Sequence, residues 1–408
     1  MDFLLVMLTF YPRRLNAVAA QKFYFYRPLN WLLPMMGCIP KNLFDPDVRS
    51  IIGIKTVLKR GGRILLFPEG RCTTGGAYMG VHKSTGKLVK NLGVPVISCH
   101  IEGAYTCMPF WRKGIRLGRE RVTIAGLFSA DETKALSVEE INNAIDARLG
   151  GIDTPPPGKP FRTFRKRRLL EGLHNLLYWC PKCGQELTLV TEGCTIRCEA
   201  CGNSVSMERN AKLAPEPGSV APESVQLWYK EQSQYESGLL CADMAPISIQ
   251  VTVRMSAALR GSAESGVRNS ELFTSGQEAG EATPSAARTP LHRGEWGRKT
   301  GRQKSAGYGL IPCGTGTLSL GPSGWRYNGN LSGETVSLFF PIDTVPALPF
   351  DPGDNFQIYA YGSFYAFTPE DKRLCAKFAT IGECAYWRFA SRVMMTPGRD
   401  GGFSINEK

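Results

Sequence analysis

The sequence predicts an α/β domain at the front of the chain, then a small metal-stapled module and a β-rich domain. Three observations predict it. Over residues 1–152, short apolar strand-like runs alternate with amphipathic helical stretches, the pattern of an α/β unit. Cys180, Cys183, Cys198 and Cys201 stand in a C-x2-C-x14-C-x2-C pattern. From residue 308 onward, short alternating or aromatic runs are punctuated by Gly, Asn and Pro and followed by one helical stretch.

The front domain is organised around Arg63–Gly70, RILLFPEG. Ile64–Phe67 reads as a short buried strand ended by Pro68, which lacks the N–H needed to extend a ladder. The strand delivers Glu69, Gly70 and Arg71 into a Gly-rich turn, at the strand mouth where α/β proteins place ligand-binding groups. Arg71 offers a planar fork suited to phosphate, and Gly70 lets backbone approach a ligand closely. The plain alternative is a Glu69–Arg71 ion pair that closes the turn.

The surrounding elements follow in order. Asp2 opens directly into an apolar, helix-like run, FLLVMLTFYPRR. Residues 23–39 are rich in aromatics and Met, and read either as core or as an interfacial patch with Trp and Tyr at headgroup level. Residues 48–60 predict an amphipathic helix with Ile51, Ile52, Ile54, Val57 and Leu58 along one side, stopping at Gly61-Gly62. A helix at 83–92 carries Lys83, Lys87 and Lys90, and strands are expected at 94–101 and 121–127. Helix 137–149 has a capping box, Ser137 with Glu140, and an apolar face of Val138, Ile141, Ile145 and Leu149. His82 and His100 have no partner in sequence and read as structural or peripheral.

Phe67-Pro68-Glu69-Gly70 followed by Arg71 resembles the signature block of the lysophosphatidate (1-acyl-sn-glycerol-3-phosphate) acyltransferase family, usually FPEGTRS. Gly37-Cys38-Ile39-Pro40-Lys41 resembles that family's glycerolipid-binding block, with Lys41 where the family usually has Arg. Gly93-Val94-Pro95-Val96-Ile97 resembles its final block, so the resemblance covers roughly residues 1–150. It implies a glycerolipid-acyltransferase-like αβ domain. The implied reaction moves an acyl group from acyl-CoA or acyl carrier protein to lysophosphatidate, giving phosphatidate in phospholipid synthesis. The resemblance also implies that Glu69, Gly70 and Arg71 hold the acceptor's glycerophosphate with help from Lys41, while Val94 and Pro95 shape a pocket wall. The family's catalytic block is a His, four residues, then an Asp. Asp2 takes the place of that Asp, and the His would fall upstream of Met1. The expectation is therefore a chain truncated at its start, or a homologue that binds lipid without catalysis.

Beyond residue 152 the organisation changes. A basic linker and helix is expected over 153–178, containing FRTFRKRR at 161–168. That cluster suits a membrane anchor, a nucleic-acid contact or a solvated helix face. Residues 179–206 hold CPKCG and CEACG, which look like zinc-ribbon knuckles around a short hairpin. Four thiolates fill a tetrahedral shell and leave no open position, so the implied Zn2+ is structural. Residues 207–254 read as a mixed connector with a helix around 226–235, and 255–307 as a disordered low-complexity linker. Residues 308–395 read as a β-rich domain with a terminal helix around 370–390, a small barrel or sandwich similar to pleckstrin-homology-like domains.

Charge is unevenly spread along the 408 residues. The net charge is +13, yet residues 1–170 hold 27 Lys and Arg against 12 Asp and Glu, and the remainder 22 against 24. A basic front suits an anionic membrane surface, a phosphorylated substrate or nucleic acid. No apolar run approaches the roughly 20 residues that span a bilayer, and no basic n-region of a signal peptide precedes the first apolar run. Thirteen cysteines, an odd number, with paired C-x2-C motifs suggest reduced thiols plus metal. The sequence thus points to a cytoplasmic protein, peripheral on the inner face of the cell membrane. Its expected partners are a phospholipid surface, lysophosphatidate and the acyl donor. Nucleic acid is not expected, although a zinc-ribbon nucleic-acid binder is the rival that the basic cluster supports.

Overall fold

The computed structural model describes residues 2–25, 28–43, 47–82, 84–112, 114, 118, 120–151, 168–208, 211–242, 249–257, 311–331, 333–360 and 363–395. The front half begins with α1 (Asp2–Thr9), β1 (Asn16–Ala20), α2 (Leu29–Met35), β2 (Ile39–Lys41), α3 (Val48–Lys59) and β3 (Ile64–Leu65). Its strands form a parallel sheet in the order β2-β1-β3. Parallel neighbours need a crossover, and α2 and α3 supply it. The Asp47 carboxylate caps α3 by accepting from the Ser50 N–H at 3.1 Å.

The front half continues with α4 (Ser84–Leu92), β4 (Val96–Glu102), α5 (Ala104–Cys107), β5 (Arg121–Phe128), α6 (Ala130–Ala135) and α7 (Val138–Leu149). β4 and β5 pair antiparallel as a separate two-stranded sheet. α4 packs closely on α7, where a side chain at Gly86 would place its Cβ 2.5 Å from the Val138 carbonyl. The capping box at Ser137 and Glu140 forms as expected, and Ile141 and Ile145 are buried with Phe128.

The back half opens with a four-stranded antiparallel sheet of β6 (Leu189–Glu192), β7 (Thr195–Cys198), β8 (Ser204–Met207) and β9 (Leu213–Pro215). Then come α8 (Val225–Ala242), β10 (Ile249–Ala257), β11 (Ile311–Gly321), β12 (Gly324–Leu331), β13 (Glu334–Pro341), β14 (Phe350–Asp351), β15 (Asn355–Ala360), β16 (Ser363–Pro369) and α9 (Leu374–Met395). Seven of these strands form one antiparallel sheet, ordered β13-β12-β11-β10-β16-β15-β14. α9 covers it, with Phe378 stacked on Phe356 at 5.5 Å between ring centroids. The core is continuous from Leu169–Leu177 through Cys180, Ile196 and Val205 to Trp228, Trp325, Phe356 and Phe378. The four-cysteine module thus shares its core with the large sheet.

Several expectations need correction. The strand at 64–67 is only two residues long and half-buried, because it pairs with β1 at Ile64 and Leu65 alone and the chain then turns away at Pro68. Ile51 and Ile52 are exposed, and Ile54 alone of the predicted apolar side of α3 is fully buried. A narrow three-stranded sheet covers only one stripe of the helix that crosses it. α6 was not expected, although Ser129 and Glu132 form a second capping box. β10 lies mostly within the stretch read as a connector, yet it sits in the middle of the seven-stranded sheet. The first three residues of the low-complexity stretch 255–307 are the end of β10, and its remainder lies outside the described residues, as do the linker residues 154–160 and most of the cluster 161–168.

Candidate active site and metal centre

After β3 the chain turns at Phe67-Pro68-Glu69-Gly70, where the Gly70 N–H donates to the Phe67 carbonyl at 3.1 Å. Gly70 has φ +69°, a left-handed conformation that costs any other residue more. The Glu69 carboxylate folds back onto its own loop. It accepts from the Thr73 hydroxyl at 3.1 and 3.2 Å and from the Met79 N–H at 3.2 Å. Burial pushes its pKa up, and the bonds from Met79 and Thr73 and the charge of Arg71 pull against that rise. Glu69 thus ties the turn to residue 79.

Arg71 does not take Glu69 as its hydrogen-bonded partner. Its Nη1 donates to Glu383 Oε1 on α9 at 2.5 Å, with the two side chains 24% and 28% exposed. The loop beyond Arg71 packs on the back half: a Cβ at Gly75 would fall 2.4 Å from the Tyr229 ring of α8. The Tyr105 hydroxyl, from α5, donates to the Thr74 carbonyl at 2.6 Å. Lys22, also buried, donates from Nζ to Gln357 Oε1 of β15 at 3.5 Å.

The other residues singled out by sequence divide into two groups. Asp2, exposed at the first turn of α1, lies within electrostatic reach of Glu69 and Cys72. Lys41 ends β2, opposite Ala20, and its positive charge adds to burial in lowering the pKa of His82. The His82 N–H donates to the Pro68 carbonyl at 3.0 Å, and its Nδ1 faces the Ser84 hydroxyl at 2.7 Å. A histidine without a sequence partner thus lies beside the signature turn, its neutral form favoured by burial and by Lys41. His100 instead sits within β4 opposite Thr123. Val94 and Pro95 lead into β4, which pairs with β5 and belongs to a different sheet from β3.

The cysteines converge as their spacing requires. The Sγ atoms of Cys180, Cys183, Cys198 and Cys201 all lie within 4.8 Å of one another, and the pairs Cys180–Cys201 and Cys183–Cys198 are 3.8 Å apart. A tetrahedral zinc with bonds of about 2.3 Å has S···S edges of about 3.8 Å, so the four thiolates fit that ion. The β6–β7 hairpin joins the two knuckles, whose tight turns are closed by Gly184 N–H to Cys180 O at 2.9 Å and Gly202 N–H to Cys198 O at 3.0 Å. Cys180 and Cys198 are fully buried, so the centre anchors the back-half core.

Glu383, Tyr229, Lys22 and Gln357 escaped the sequence reading. Glu383 lies 312 residues from Arg71, and no local pattern marks a contact over that distance.

Comparison with known proteins bears on the front of the chain. Residues 1–102 match the Acyltransferase family. The chloroplastic 1-acyl-sn-glycerol-3-phosphate acyltransferase BAT2 of Brassica napus is 28% identical over 89 residues, which make up 21% of this chain and 26% of that relative. The matched stretch thus spans about a quarter of the curated relative. No solved structure matches the chain. The front carries an acyltransferase-family domain, and the resemblance read from its signature blocks holds over that segment.

Proposed function

We propose that the chain transfers an acyl group from acyl-CoA or acyl carrier protein to the free hydroxyl of 1-acyl-sn-glycerol-3-phosphate, forming phosphatidate. The observation that carries this reading is the FPEG turn with Arg71 behind it, set at the mouth of a parallel sheet inside the acyltransferase segment. The chemistry asks for a general base on the acceptor hydroxyl and needs no covalent intermediate. In this reading Asp2, at the start of α1, is the carboxylate that orients the base. Arg71 receives the acceptor phosphate and Lys41 assists as a point charge. Glu69 acts by holding the turn in shape, Gly70 lets the backbone approach, and Val94 and Pro95 form a wall on the acyl side.

The rest of the chain serves that reaction as a scaffold. The four cysteines hold a structural Zn2+ in a ribbon, as their S···S distances support. The seven-stranded sheet closed by a terminal helix is read as a pleckstrin-homology-like module. The protein works in the cytoplasm, peripheral on the inner face of the membrane. Leu4, Leu8 and Tyr11 from and after α1, with Trp31 and Met35 of α2, expose apolar surface in the basic front half. Among the described residues no helix is long and apolar enough to cross a membrane.

The test is formation of phosphatidate from acyl-CoA and lysophosphatidate by the purified chain, and by a version extended upstream in its reading frame. Turnover by either protein that is lost in Arg71→Ala supports the reading. Vesicle binding without turnover in both leaves a lipid-binding homologue instead.

A further inference from the structure

We propose that Glu383 is a positioning residue for the acceptor site: its carboxylate fixes the Arg71 guanidinium so that the free edge of the fork faces the incoming phosphate. The proposal rests on the acceptor role given to Arg71 above.

Three observations carry it. First, Arg71 stands on a segment without regular secondary structure, between the turn at Gly70 and the start of α4 at Ser84. A long side chain on such a segment samples many rotamers, and ordering it on binding weakens affinity. Second, the hydrogen bond to Glu383 is made by Nη1. Among the described residues the Nε–Nη2 edge, which can donate in parallel to two phosphate oxygens, has no hydrogen-bond partner and can receive a ligand. A bidentate partner would have consumed a whole edge.

Third, the back half holds the loop as well as the side chain. Tyr229 of α8 packs against Gly75, and Gln226 of α8 lies beside Gly76. Tyr229 is also in the electrostatic surroundings of both Glu383 and Arg71. α8 and α9 are joined near this point by the Ser237 hydroxyl and the Cys384 thiol, 3.1 Å apart. Glu383 is therefore presented by a two-helix support rather than by a free helix end. The domain that lacks the chemistry sets the geometry of the residue that binds the substrate.

The test is binding of the full chain to phosphatidylcholine vesicles with and without added lysophosphatidate. Glu383→Gln keeps the shape of the side chain and removes its charge. It should weaken binding to the lysophosphatidate vesicles about tenfold. Binding to plain phosphatidylcholine should not change, a readout that a general folding defect would move. Glu383→Asp, which keeps the charge but shortens the reach, should fall between. In an Arg71→Ala background Glu383→Gln should add nothing, because the two act as one unit.

Unchanged or tighter binding by Glu383→Gln overturns the proposal; tighter binding would mean that the carboxylate competes with phosphate. Full additivity with Arg71→Ala overturns it as well. If Arg71→Ala binds lysophosphatidate vesicles as well as the parent does, the acceptor reading has failed and takes the positioning role with it. If Arg71→Ala is impaired and Glu383→Gln is not, only the positioning role fails. Should Glu383→Gln lose its helical signal in circular dichroism, Glu383→Asp decides, and parent-like binding by that variant overturns the proposal.

Discussion

The front half and the back half are built to different standards of packing. Among the described residues the front shows two small, separate cores, one of Ala17, Leu33 and Cys38 and the other of Phe128, Ile141 and Ile145. The back has one, in which Trp228, Trp325, Tyr327, Phe340, Phe356 and Phe367 are wholly withdrawn from solvent. Among the described residues, every exposed large apolar side chain except Val220, Leu239 and Trp387 lies before residue 125. The half with the signature residues is thus the thinly packed one. Binding segments come from the low-stability end of a structure. What rigidity the front has at Arg71, Gly75 and Lys22 it takes from Glu383, Tyr229 and Gln357 of the back.

The sharpest way to break this contrast is to take away the metal. Cys198→Ser leaves three thiolates at the centre of a core that runs on into the large sheet, and should cost on the order of 5 kcal/mol or more. Chelation of the parent protein should act in the same direction. Calorimetry with and without chelator checks it. A melting profile indifferent to both would mean that the cysteines hold no structural ion.

Core truncations compare the halves directly. Phe356→Ala removes a ring stacked on Phe378 and packed near Phe367 and Trp325, and should cost about 4 kcal/mol in denaturant unfolding. Ile141→Ala in the small front core should cost about 2–3 kcal/mol, because a small core with half-buried neighbours relaxes more readily around the gap. Equal costs, or the reverse order, would mean that the halves are packed alike.

The two halves also differ in what the sequence discloses. The FPEG turn, the cysteine spacing and the Ser137 box are local chemistry, and each is found where the pattern put it. The short alternating or aromatic runs after residue 308 became strands such as β11, β12, β13, β15 and β16, because alternation and turn residues are local as well. The misses are of another kind. Ile51 and Ile52 lie exposed on α3, covered by no layer among the described residues, and the narrowness of the sheet accounts for it. β10 alternates well, with Val251, Val253 and Met255 on one face, but its partners are 54 or more residues away in sequence. The Arg71–Glu383 pair is longer in range still. Periodicity tells which face of an element is apolar and is silent about what covers it.

A smaller effect is expected at the α7 cap. Ser137→Ala removes the acceptor for the Glu140 N–H and should cost about 1 kcal/mol, read from denaturant midpoints at neutral pH. Its partner Glu140 adds a pH signature. The hydrogen bonds from Ser137 hold that carboxyl below the usual carboxylate range. A lowered folded pKa means that the contribution is present above the unfolded value and is lost as pH falls through the folded one. The Ser137 backbone N–H that donates to this carboxylate survives in Ser137→Ala, so the pH test uses Glu140→Gln: the difference between parent and Glu140→Gln should shrink in acid. A difference that held constant down to strongly acidic pH would mean that the box contributes nothing through Glu140.

The smallest effect on stability should fall where the front half meets its surroundings. Leu8 is 72% exposed and Trp31 58% exposed, so Leu8→Gln and Trp31→Gln lose little packing and should change stability by less than about 0.5 kcal/mol. If the exposed side chains of α1 and α2 enter a lipid interface, each loses apolar area buried there, and vesicle partitioning should weaken several-fold, equivalent to about 1 kcal/mol. Trp387, equally prominent on α9 at 55% exposed, supplies the control, since Trp387→Gln should leave partitioning unchanged. Loss of binding in the α1 and α2 variants but not in the α9 variant places the membrane face on the thin half. Equal loss in all three would mean that exposed apolar area anywhere on the protein attracts lipid, and the division of labour between the halves would not extend to the membrane.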